Sequence, residues 1–92
     1  MPDASFELED NLVVLDDGVV ELFVRGVGGG PRLHVRHMSI HTRGQDRHGR
    51  TRVHFAPGPD PLNGFRLEVP PERWADLDAF VARVIAAREG RG

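Results

Sequence analysis

The sequence predicts an α+β fold of six to seven short antiparallel strands capped by one C-terminal amphipathic helix. Three observations lead there. Between Phe6 and Val69 apolar residues recur with period two, in short runs. Turn chemistry separates those runs, notably Asp16-Asp17-Gly18 and the proline- and glycine-rich stretch from Pro57 to Gly64. Beyond Pro70-Pro71 the period lengthens to about three and a half residues, the repeat of a half-buried helix.

Each element has its own signal. Phe6-Glu7-Leu8-Glu9 alternates until Asp10-Asn11 interrupts it as a turn or bulge. Leu12 to Leu15 and Val19 to Arg25 flank Asp16-Asp17-Gly18, and an Asp-Gly pair between apolar runs marks a tight hairpin. Both faces of the second run are partly apolar, which predicts a strand covered on more than one side. Residues 26–30 contain four glycines and read as a connection; a phosphate-cradling loop would have to open a helix, and here Pro31 and a strand follow.

Leu33 and Val35 point inward, but from Met38 the phase shifts by one, so that Met38 and Ile40 point inward and His37, Ser39 and His41 outward. A one-residue shift marks a bulge or a corner between two strands. Gly44 to Arg50 reads as a polar loop, Thr51 to Ala56 as a strand with Val53 and Phe55 inward, and Phe65 to Val69 as the last strand. The helix is expected over Pro71–Arg88, with Pro71 in its first turn and a stripe of Trp74, Leu77, Val81 and Val84 broadened by Phe80 and Ile85. The expected core is Val20, Leu22, Val24, Leu33, Val35, Met38, Ile40, Val53, Phe55, Phe65, Leu67 and Val69 with the four stripe residues.

Composition narrows the function classes. Ninety-two residues are expected to form a single domain spanning 1–92, with 39% hydrophobic and 28% charged residues in the ordinary globular range. No cysteine is present, which excludes disulfides and thiolate metal sites. No apolar run is long enough for a membrane-spanning helix, and the acidic start lacks the layout of a secretory signal, so a cytoplasmic location is expected. All twelve basic residues are arginine, which codon choice in a GC-rich genome explains more simply than a functional demand for guanidinium forks. The net charge of −2 hides a segregation: residues 1–24 hold seven acids and no base, whereas residues 25–54 hold seven arginines, one acid and all five histidines. Such halves serve a partner, or let neighbouring strands pair by opposite charge.

The stretches LVVLDDGVVELFV, RLHVRHMSIHTR, TRVHFA and GFRLEVPPERWADLDAFVARVIAAR, in this order, resemble the bacterial pleckstrin-homology-like (PH-like) domains. The resemblance covers Leu12 to Arg88 and lies in strand order and helix placement, not in a diagnostic motif. It implies an antiparallel β-barrel or two orthogonal sheets with the helix closing one end. It does not carry over a phosphoinositide site: where that site needs basic residues around the first hairpin, this chain has Asp16 and Asp17 and no lysine.

Among chemistry-bearing residues the basic strip stands out. Arg32, His34, Arg36, His37, His41, Arg43, Arg47, Arg50, Arg52 and His54 are expected to share one side of the molecule. The negative total charge and the lack of exposed strand aromatics count against nucleic acid, which leaves an acidic protein surface or a second copy of the chain. His37 and His41 should share a strand face about 13 Å apart, too far to ligate one metal, so no metal or cofactor is expected. Ser39 between them raises a different possibility, a small hydrolase or metal-dependent enzyme centred on His37, Ser39 and His41. No acid is placed to orient either imidazole, and no nucleophile elbow is present. The expected function is therefore a non-catalytic binding or assembly module that uses the Arg/His face or a sheet edge. The charge halves also predict self-association as a two-fold dimer, unless they cancel within one chain.

Overall fold

The computed structural model describes residues 3–45, 47, 49–58 and 64–90. It is α+β, with seven strands in two antiparallel sheets and one C-terminal helix. Strands β1 (Ala4–Leu8), β2 (Asn11–Asp16), β3 (Val19–Val24) and β4 (Gly28–His34) form a meander in the order β1-β2-β3-β4. Strands β5 (Met38–Gln45), β6 (Thr51–Pro57) and β7 (Phe65–Val69) form a second meander, and helix α1 (Trp74–Arg88) follows. Among the described residues no ladder joins the two sheets, so the strands do not close into a barrel.

Local chemistry explains the turns. At the β2–β3 hairpin Asp17 and Gly18 both have positive φ, 50° and 75°, as a two-residue loop twisted to match its strands requires. The β1–β2 turn falls on Glu9-Asp10, one residue earlier than the sequence indicates, and Asn11 already belongs to β2. The phase shift before Met38 is a corner: Val35–His37 form one 3-10 turn that hands the chain from the first sheet to the second. His34 holds its start, its Nδ1 accepting from the Arg36 N–H at 3.2 Å. The expected polar loop from Gly44 begins later, because β5 runs on to Gln45 through a register shift between Arg43 and Gln45. Gly28–Gly30 likewise belong to β4 and not to a free connection. Of the expected Pro57–Gly64 loop, residues 59–63 lie outside the described residues, as does His48.

The core gathers between the sheets and under the helix. It contains the expected Val20, Leu22, Leu33, Val35, Met38, Val53, Phe55, Phe65, Leu67, Val69, Leu77 and Val84, joined by Phe6, Leu8, Val13, Leu15 and Phe80. Val24, Ile40 and Val81 pack on its margin. Trp74, expected inside, is 38% exposed, and Ile85 is 43% exposed. At 100° per residue both lie roughly 60–80° around the helix from Leu77, on the flank of a stripe centred on Leu77, Phe80 and Val84. Helix α1 docks on β1, with Phe80 6.5 Å from Phe6 ring to ring and the Arg73 guanidinium 5.1 Å over Phe6. Arg88 extends the buried stripe by one turn and donates to two corner carbonyls, Val35 at 3.1 Å and Met38 at 3.0 Å. Strand β3 is not covered on both faces: Val19 and Phe23 are half-buried and stand outside the core cluster.

Candidate functional site

The residues of the predicted basic strip come from both sheets and from the corner turn between them. Arg32 and His34 lie on β4 in the first sheet, and Arg36 and His37 lie in the corner turn. Arg32 sits opposite Glu21 in the β3–β4 register, its Nε 3.5 Å from the carboxylate. His37 is not on the strand that carries His41; it packs beside His34 with ring centroids 5.5 Å apart. The residue that shifts the phase is thus a turn residue, and the expected His37–His41 strand face does not form.

The second half assembles on the outer face of the three-stranded sheet. Antiparallel register places His41, His54 and Arg66 in one rung across β5, β6 and β7. Two residues along each strand, and therefore on the same face, Arg43, Arg52 and Glu68 form the next rung. Arg50, just before β6, reaches Glu68 Oε2 at 3.6 Å, while Arg52 reaches Oε1 at 3.5 Å. Arg47 is exposed in the β5–β6 connection. Sequence reasoning had left Arg66 and Glu68 out of the site. Their alternation on β7 was visible, but nothing in a contiguous reading says that β7 lies beside β6.

Like charges face each other at one rung: Arg43 is directly opposite Arg52, while His41 is directly opposite His54. Opposed like charges destabilise a strand pair, so these two arginines work against the sheet that holds them. The acids of the first 24 residues do not compensate them, because β1, β2 and β3 pair with one another in the other sheet. The expectation that oppositely charged strands pair is met at one rung between the halves, Glu21 with Arg32.

The Ser39–His41 pair exists, in a form unlike an activated nucleophile. Ser39 Oγ donates to the Gly58 carbonyl at 2.6 Å and lies 2.8 Å from His41 Nε2. A hydroxyl has one hydrogen, so with that hydrogen on Gly58 the imidazole must donate to Oγ. A base would have to accept. The Gly58 N–H also donates to the His37 carbonyl, so Ser39 and His37 together strap Gly58 to the start of β5. Among the described residues no group of three or more His, Asp or Glu side chains could hold a metal ion, and no helix is long and apolar enough to cross a membrane.

Compared with known protein families, curated proteins and solved structures, the chain has no significant match.

Proposed function

We propose that this chain is a non-catalytic binding module that docks an acidic protein surface on the outer face of β5, β6 and β7. The order of four strands, three strands and a helix supports a PH-like scaffold, and on any such scaffold function lies in the surface it presents. The observation that carries the reading is the like-charge rung Arg43–Arg52. A sheet selected only for its own stability would place threonine or opposite charges there. A carboxylate from outside would pair with Arg43 and relieve that rung. A protein fits better than nucleic acid because the face has no Phe or Trp on which a base could stack; Phe55 and Phe65 stack on each other in the core, 4.9 Å apart.

A second copy of the chain is one source of such a surface. The seven acids of residues 1–24 sit apart from the arginines of β5 and β6, as an electrostatic two-fold dimer would use them. Fluorescence anisotropy with a labelled glutamate-rich peptide and a labelled single-stranded oligonucleotide tests the reading. Peptide binding should weaken between 0.1 M and 1 M salt, where the screening length falls from about 10 Å to about 3 Å. It should weaken again in Arg43→Glu and Arg52→Glu. Equal binding by these variants, or a preference for the oligonucleotide, contradicts it. Sedimentation at the same two salt concentrations identifies the partner: a salt-sensitive dimer means a second copy, and a monomer at both means another protein.

A further inference from the structure

The cationic face is concave beside Gly44. An open groove of about 200 Å³ is lined by Arg43, Gly44, Arg50, Arg52 and Glu68. We infer that this groove anchors one carboxylate side chain of the docked partner, and that Glu68 fills it beforehand as an internal stand-in which the partner displaces. The inference rests on the docking reading above and adds where the first contact is made and what competes for it.

Glu68 shows that the groove fits a carboxylate. Its two oxygens are divided between two guanidiniums, Oε1 toward Arg52 and Oε2 toward Arg50. The separations, 3.5 Å and 3.6 Å, exceed the roughly 2.7–2.9 Å of a well-formed charged hydrogen bond. All three side chains are 40–44% exposed, so water screens the contacts and can replace them. Glu68 is therefore held in place but held weakly. Arg43, which stands opposite Arg52, makes no ion pair among the described residues. Among the described residues Arg43 is thus the groove guanidinium that no carboxylate answers, and it is the one that favours a second anionic group.

Backbone and volume agree with that occupant. The register shift between Arg43 and Gln45 interrupts the ladder at Gly44, and such interruptions re-aim neighbouring side chains. Nothing lies within 4 Å of where a Gly44 Cβ would sit, so this wall of the groove is open. The volume is below the roughly 300–1,000 Å³ usual for small-molecule pockets, which fits one side-chain group better than a metabolite.

The test measures binding of a hexaglutamate peptide to wild type, Glu68→Gln, Arg43→Gln and Arg66→Gln at low salt, with unfolding midpoints confirming that each variant is folded. Removing the internal competitor should tighten binding about two- to fivefold, the range expected for an exposed ion pair. Arg43→Gln should weaken binding more than Arg66→Gln, which alters the same face outside the groove. If wild type binds but Glu68→Gln binds no tighter, Glu68 does not compete and the inference fails, while docking on the cationic face stands. If Arg43→Gln and Arg66→Gln weaken binding equally, the groove is no anchor. If inorganic phosphate displaces the peptide at lower concentration than glutarate does, the groove reads phosphoryl groups and the carboxylate assignment is wrong. If wild type does not bind the peptide at all, both the docking reading and the inference fall.

Discussion

In the four-stranded sheet Glu21 stands opposite Arg32 and pairs with it; in the three-stranded sheet Arg43 stands opposite Arg52, and His41 opposite His54. The first sheet spends its cross-strand charge on its own cohesion. The second holds two arginines, Arg43 and Arg52, against each other, with Glu68 beside Arg52 as partial relief. Their outer faces differ in the same sense. The first mixes half-buried Leu12, Val14, Val19 and Phe23 with charges of both signs, Glu7, Glu21 and Arg32 among them, whereas the second presents arginine and histidine. Arg43, which faces Arg52 and makes no ion pair of its own among the described residues, is a better pointer to an outside partner than an exposed charge alone.

The comparison requires that the second sheet hold its register firmly. Gly64 provides for that at the start of β7: its φ is +95°, and a Cβ there would lie 1.9 Å from the Phe55 carbonyl oxygen. Gly64→Ala should therefore destabilise the protein by more than about 3 kcal/mol in urea unfolding, through backbone strain and overlap together. A loss under about 1 kcal/mol would mean that β7 can shift against β6, and the rungs with it. The helix gives the next largest effects. Leu77→Ala should cost about 2–5 kcal/mol and Trp74→Ala less than about 1.5, since Leu77 is buried and Trp74 is on the flank. The reverse order would place the helix differently on the first sheet.

The smallest effects separate the two sheets most sharply, because they should have opposite signs. Arg43→Thr removes a like-charge opposition and should raise stability by about 0.2–1 kcal/mol. Glu21→Thr removes the partner of Arg32 and should lower it by up to about 1 kcal/mol, a small value because Arg32 is largely exposed. Thermal unfolding of both variants at low salt decides this, and both differences should shrink at 1 M salt. If both variants are destabilised, the charges of the second sheet serve its own stability after all.

Much of the fold was legible in local chemistry. Asp17-Gly18 specified its hairpin, the period-two runs specified strands, and the one-residue slip before Met38 specified a break. What the period cannot give is which strands are neighbours. The arginines and histidines from Arg32 to His54 look like one strip in a linear reading, yet the corner at Val35–His37 divides them between two sheets. Arg66 and Glu68 enter the site from a strand that is remote in sequence and adjacent in space. Trp74 failed for a narrower reason. A stripe of apolar residues defines a helix face only to within about one side chain, and contacts with β1 and the corner decide which flank is wet.

The most direct test of the central claim is a map of backbone amide shifts as a glutamate-rich peptide is titrated into the isotope-labelled protein at low salt. The account predicts that the perturbations gather at His41, Arg43, Arg50, Arg52, His54, Arg66 and Glu68, fade as salt is raised, and leave β1 to β3 unchanged if the protein is a monomer. Perturbations centred on Arg32, His34 and Arg36, or spread evenly over every arginine, would contradict it.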